Sequence, residues 1–496
     1  MNLASAIETH PADAPALVSG GEVTSYGELR SQVAQIRGAL LGRGVAPGDR
    51  VAIVAANNRF FVAAYLGVLG VGAVAVPLNP LSPRPELERE LAIVGAQLAL
   101  ADDTGRPAFG GEAATRLADA DVVAIGDLLG GEPSALVERA DDDLAVLLFT
   151  SGTAGLPRAA MLSHGNLRSN IDQVRAARAS DVGDGTAGQP TADDVALGVI
   201  PLFHIFGLNA VLGLMLTVGG SVVLAERFDP AEALALLAEH KITVVSGVPT
   251  MWRAWADLPS TGAGDANPMA SLRLGVSGAA SLDPELRRAI AARYGVVLSE
   301  GYGLTEASPV VTSGAGHPAP DGSIGLPLPG LLVRLIDRYG EDALVGDPGE
   351  VWVKGPNVFA GYWDDPEATR ATLTEDGWVR TGDLAVVDDD GFLWLVDRAK
   401  DVIIVSGFNV VPAEVETVLR RHADVAEAAV VSVAHPHTGE AVKAFVVPEA
   451  GTRLDEHALI EYASRHLARY KCPSIVTFVD ELPHGDTGKL LRRRLR

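Results

Sequence analysis

The chain has a single cysteine, Cys472, in 496 residues. No intramolecular disulfide can form, which fits a reducing compartment, and no thiolate metal cluster can be built. "RYKCPS" offers Cys472 no obvious base, so a packing role is expected. Positive charge is also scarce. Lys and Arg number 40 against 63 Asp and Glu, a formal net charge of −23. That balance argues against wrapping a nucleic-acid backbone or docking on anionic lipid, since both need a basic footprint. The expectation is a cytoplasmic, self-repelling soluble protein. The opening "MNLASAIETHPADAP" has no basic stretch leading into an apolar one, so it does not read as a secretory signal. No internal repeat, heptad run or low-complexity tract is present.

One segment imitates a membrane span. Phe60 to Leu78 is 19 residues without a charge. Its glycines and Pro77 divide it instead into an apolar helix ending near Gly70–Gly72 and a short strand "AVAVPL". No integral membrane segment is expected.

A chain of this length needs more than one core. Ser25 and Glu28 form an S-x-x-E capping box, followed by Leu29, Val33, Ile36 and Leu40 at helical spacing. Short apolar strands then alternate with helices: "DRVAIVA", "AQLALA", "LAVLLF", "VALGVI", "SVVLA", "ITVVSG", "LRLGVS". That alternation predicts an α/β fold, a parallel or mixed sheet with helices on its faces. Residues 179–194 and 260–268 read as surface loops. From about 320 to 397 short strands between Gly/Asp turns predict a β-rich subdomain. A boundary is placed near Lys400, giving an N-terminal domain over 1–397, a hinge at 398–400 and a C-terminal α+β domain over 401–496. A monomer and a homodimer are both compatible with the sequence.

The loop "TSGTAGLPRA" follows the strand "LAVLLF". Thr150, Ser151 and Thr153 offer hydroxyls, while Gly152 and Gly155 let backbone amides turn inward. Such a nest suits phosphate oxygens, although the G-x-x-x-x-G-K-[ST] spacing of a P-loop is missing. Far along the chain, "EGYGLTE" supplies Tyr302 to stack on a base, Thr305 for a phosphate and Glu306 for a magnesium ion. Asp383 in "RTGDLA", Arg398 in "VDRAKD" and Lys489 in "HGDTGK" add further polar groups.

With these five pieces in order, the chain resembles the adenylate-forming superfamily of acyl-CoA synthetases, 4-coumarate–CoA ligases, luciferases and peptide-synthetase adenylation domains. The resemblance runs over nearly the whole chain. It implies a large N-terminal domain of stacked mixed sheets and a small mobile C-terminal domain. It implies ATP, Mg2+ and CoA as reactants or cofactors, and a small carboxylic acid as substrate. Ser151, Gly152, Thr153 and Gly155, with Thr150 and Arg158, would hold the β- and γ-phosphates. Thr305 would contact the α-phosphate, and Glu306 would hold the metal. Tyr302 with Gly278, Ala279 and Ala280 would enclose adenine, and Glu300 would meet its amino group. Asp383 and Arg398 would bind ribose. Lys489 would bridge carboxylate and α-phosphate. Lys400 matches the family hinge, and Gly407 matches the loop lining the thiol tunnel.

Three positions depart from the family pattern. Arg158 and Ala159 replace a Lys-Gly pair, and Glu300 replaces a glutamine. In "PLFHIFGLN", His204 would gate the acyl pocket and Phe206 would form its wall, with Gly301, Gly303, Pro309 and Val310 lining the rest. Gly301 stands where malonyl-CoA synthetases carry an arginine, and no Asp lies near "FHIFG" to hold an ammonium. An apolar monocarboxylate is therefore expected, a fatty acid first and an aryl acid second. Transfer to a carrier protein is a further alternative, and the insertion typical of such ligases is missing. His435 and His437 flank a proline in what the resemblance makes a turn.

Overall fold

The capping box forms as its residues dictate. In the computed structural model Ser25 Oγ accepts from the Glu28 amide, and Glu28 Oε2 accepts from the Ser25 amide. This starts the helix Tyr26–Gly42, a motif that contributes about 1 kcal/mol. Its apolar stripe of Leu29, Val33, Ile36 and Leu40 is fully buried. The structure describes residues 1–110, 116–117, 119–151, 157–179, 190–259, 266–280, 282–316, 319–337, 339–398, 403–410, 412–449, 451–483 and 495.

The long uncharged segment is a helix, Arg59–Gly70, capped by Asn58, and a strand, Val74–Leu78. Both lie in the main core. Among the described residues, no helix is long and apolar enough to cross a membrane. The strand belongs to a seven-stranded sheet in the order Arg116–Leu117, Ala120–Ala124, Leu98–Ala101, Arg50–Val54, Val74–Leu78, Leu144–Ser151, Pro157–Ser163. Its central pairs are parallel and its two edges antiparallel.

A nine-stranded sheet carries the other predicted strands. Its parallel centre runs Leu298–Gly303, Leu274–Ser277, Val244–Gly247, Val195–Gly198, Ser221–Leu224, Pro15–Ser19. Most of these strands read as short apolar runs, as strands buried on both faces do, while Leu298–Gly303 carries Glu300 and Tyr302. A four-stranded antiparallel sheet over Leu332–Arg398 forms the β-rich part. The last sheet spans Ile403–Phe478, with helices Pro412–Leu419 and Glu456–Ser464 packed on it. The second helix ends at Ser464. A 3-10 turn, Arg469–Lys471, follows it. Most of the two polar loops, 180–189 and 260–265, lies outside the described residues.

Candidate active site

A cavity of about 970 Å3 opens where the two large sheets, the four-stranded sheet and the C-terminal sheet converge. Parallel strands deliver side chains there from their C-terminal ends, the usual place for a ligand in such sheets. The strand Leu298–Gly303 runs straight into the cavity and turns back as Val310–Ser313. That hairpin presents Glu300, Gly301, Tyr302, Gly303, Thr305, Glu306, Pro309 and Val310 to one space. A Cβ on Gly303 would stand 2.3 Å from the Pro309 carbonyl oxygen, so only glycine fits this close approach.

The other groups come from far along the chain. Gly278, Ala279 and Ala280 line the cavity after the strand Leu274–Ser277. Asp383 enters from the four-stranded sheet, and its Oδ2 accepts from the Tyr302 hydroxyl at 2.7 Å. Arg398 is Asp383's partner in strand register. Thr150 and Arg158 also line the cavity. They stand opposite each other in the antiparallel pair Leu144–Ser151 and Pro157–Ser163. The stretch therefore leads into a strand, whereas a P-loop leads into a helix whose N-terminus holds phosphate. Gly152, Thr153, Gly155, Lys400 and Lys489 lie outside the described residues, and the Ser151 and Arg398 side chains do as well.

Arg158, in place of the family lysine, has a defined setting. Its Nε is 3.0 Å from Asp365 Oδ2, and its guanidinium lies 5.7 Å from the Tyr362 ring centre. A partly exposed pair of this kind contributes about 0–1 kcal/mol. Arg158→Lys is therefore expected to keep the acid-dependent ATP–pyrophosphate exchange rate within about fivefold of wild type. A loss of a hundredfold would put Arg158 itself on the phosphates.

Tyr362 was not foreseen. Its hydroxyl donates to Glu306 Oε1. Burial, and then the Glu306 charge, raise its pKa, so it stays a donor. No spacing rule marks it. The hydrogen bond from Met161 N–H to the Gly361 carbonyl brings it in from the four-stranded side.

Glu300 is buried. Its Oε1 accepts from Arg287 at 2.7 Å and its Oε2 from the Leu282 amide at 3.1 Å. Each oxygen already has a protein donor, so an adenine amino group would share a remaining lone pair.

Glu306 is a lone carboxylate, and among the described residues no three metal-ligating side chains converge. That donor set fits Mg2+, which takes one or two carboxylates and completes its shell with phosphate oxygens and water. His435 Nδ1 is engaged by the Thr438 hydroxyl at 2.8 Å, as part of a turn.

His204 and Phe206 line the cavity with Val174, Ala210 and Val276. Burial lowers the His204 pKa to about 4, so the ring is neutral near pH 7. Phe408 of the C-terminal sheet stands edge-on to His204 at 6.2 Å, stacks with Phe203 at 6.4 Å and stacks on Tyr470 at 4.4 Å. Gly407 beside it packs on Val248. The C-terminal sheet thus places its Gly407–Phe408 loop against His204 at the cavity.

Residues 3–363 match the model of the AMP-binding enzyme family, and 414–489 match its C-terminal domain. The chain is 38% identical over 488 residues to a feruloyl-CoA synthase from Amycolatopsis sp, covering 97% of this chain and 95% of that protein. It is 36% identical over 529 residues to a long-chain-fatty-acid–CoA ligase from Yersinia pestis, covering 98% and 92%. Among solved structures, a double mutant of o-succinylbenzoate CoA synthetase from Bacillus subtilis, bound with its product analogue OSB-NCoA, superposes with a TM-score of 0.88. Identity is 27%, and coverage is 100% of this chain and 98% of that one.

Proposed function

The chain belongs to the AMP-binding enzyme family, and we propose that it is an ATP-dependent acyl-CoA synthetase for an apolar monocarboxylic acid. The observation that carries this reading is the seat of the Gly407–Phe408 loop against His204, over a cavity that also holds Tyr302–Asp383 and Thr305–Glu306. One space thereby serves nucleotide, acid and an entering thiol.

In the first step a carboxylate oxygen attacks the α-phosphorus of ATP. The acyl–O–P bond forms, the α–β bridging bond breaks and pyrophosphate leaves. Charge grows on phosphoryl oxygens, so the chain's task is positioning and cation placement. Thr305 reaches the α-phosphate, and Lys489 bridges it to the carboxylate. Tyr362 fixes one Glu306 oxygen; the other would hold Mg2+, which when bound would supply neutralisation of phosphate charge. Adenine lies against Tyr302 and residues 278–280, and ribose hydroxyls donate to Asp383.

In the second step the CoA sulfur attacks the acyl carbonyl, the C–S bond forms and AMP leaves with its oxygen. Lys489 withdraws by a turn at Lys400, and the Gly407–Phe408 loop takes its place, an exchange of two domain arrangements. The boundary near residue 400 is part of this proposal.

Val174, Phe206, Ala210 and Val276 give the acid side an apolar wall, which supports a fatty acid. The 38% identity to a feruloyl-CoA synthase supports an aryl acid as a second reading. Pyrophosphate release over a panel of fatty acids of increasing length and hydroxycinnamic acids, with and without CoA, separates them. The reading predicts acid-dependent AMP release that rises with CoA and yields acyl-CoA. Adenylate that accumulates without transfer to CoA would favour loading of a carrier protein.

A further inference from the structure

A second feature at the same seam is a cluster of buried charge. Lys471 Nζ lies 2.7 Å from Glu86 Oε1 and 3.1 Å from Glu414 Oε1. The Ala468 amide donates to Glu86 Oε2 at 2.8 Å. Exposure of the three charged side chains is 8% or less. Glu86 starts the helix Arg84–Val94 on the seven-stranded sheet, whereas Glu414, Ala468 and Lys471 belong to the C-terminal sheet and its helices. Glu90, one turn along, is also buried beside Arg89. Burial, and then the Glu86 charge, push its carboxyl up to about 8. The shift favours its protonated form, and burial also raises the Glu414 carboxyl, so the Lys471 ammonium is what makes charge on Glu86 and Glu414 tolerable here.

Buried ion pairs add little net stability. They do penalise every arrangement that leaves one partner uncompensated, so they select one arrangement over others. This one flanks the thiol-side loop twice. Tyr470, next to Lys471, is the ring stacked on Phe408. Glu414 lies in the first turn of the helix Pro412–Leu419, just after the strand Phe408–Val410. Whatever fixes Lys471 therefore fixes both sides of the Gly407–Phe408 loop.

We propose that Glu86 is a positioning residue for thioester formation: by binding Lys471, and through it Glu414, it seats the Gly407–Phe408 loop against His204. The inference rests on the acyl-CoA synthetase reading above. The domain exchange of the proposed function would break this contact in the adenylation arrangement, so Glu86 would act on one half-reaction only.

The test uses the full chain carrying Glu86→Gln, with Lys471→Met as a second variant. Adenylation is followed by ATP–pyrophosphate exchange. Transfer is followed in single turnovers from octanoyl- or feruloyl-adenylate to CoA. Amide hydrogen exchange is read over 403–410 and 466–471. Glu86→Gln should leave adenylation within about twofold, slow transfer about tenfold or more, and speed amide exchange in both segments. Lys471→Met, which also leaves Glu414 without this partner, should slow transfer at least as much, and adding Glu86→Gln to it should add little, because the Glu86–Lys471 pair is already lost. Equal loss in both half-reactions would show a merely structural role, and unchanged transfer or unchanged amide exchange would equally overturn the proposal. If wild type forms no acyl-CoA from any acid, the functional reading fails by itself. The amide-exchange difference then still decides whether Glu86 seats the loop.

Discussion

Lys489→Ala should lower acyl-adenylate formation by about 10²–10³-fold while leaving transfer from preformed adenylate to CoA near the wild-type rate. The expectation follows from charge. As the carboxylate attacks, negative charge accumulates between it and the α-phosphate oxygens. One fixed cation there acts on the transition state more than on bound ATP, so its loss appears in the rate of the step. No other lysine or arginine lies in the Gly301–Glu306 hairpin or in residues 278–280. Arg158 is engaged by Asp365 and the Tyr362 ring, so this charge is assigned to Lys489. Transfer builds up no phosphoryl charge to stabilise, and in the proposed domain exchange Lys489 would have left the site by then. Rapid-quench rates for the two half-reactions check this. Equal loss in both would remove Lys489 from its assigned role.

Gly407→Leu should produce the mirror image. Gly407 has φ +86°, which side chains other than glycine rarely adopt, and a Cβ there would meet Val248 Cγ1 at 2.6 Å. Backbone strain of about 1–3 kcal/mol and overpacking of similar size act together on the seated loop. The clash with Val248 is relieved when the loop leaves the cavity mouth, whereas the φ strain stays in the turn between the strands Ile403–Val405 and Phe408–Val410. Transfer to CoA should therefore fall by about 10²-fold or more, while ATP–pyrophosphate exchange is retained. A variant that lost both half-reactions equally, with its melting temperature unchanged, would show that the loop does not separate them.

The parts of this picture that the sequence makes legible are local. Tyr302, Thr305 and Glu306 lie within five consecutive residues, so a single hairpin brings them together. The strand "LAVLLF" announces its own burial by composition. The alternation of short apolar strands and helices predicts parallel sheets, but strand order depends on contacts that no local period encodes. Pro15–Ser19 pairs with Ser221–Leu224, some 200 residues on. Tyr362 reaches Glu306 across 56 residues and carries no spacing signal. Lys471 meets Glu86 across 385 residues, and "RYKCPS" draws attention to its cysteine rather than to its lysine. Cys472 itself is half-buried, its thiol pushed up to about 11 by burial, in keeping with packing. Glu300 is legible as a departure from the family glutamine. Its partner Arg287, on a neighbouring helix, is visible only once the chain is folded.

The most direct measurement is a single turnover of the purified chain with excess enzyme, ATP, one acid it accepts and CoA, quenched at intervals and read by mass spectrometry. The account predicts that acyl-AMP rises first and decays into acyl-CoA of the same final amount, with one AMP and one pyrophosphate released per thioester. ADP in place of AMP, or acyl-CoA that forms with no acyl-AMP ahead of it, would contradict it.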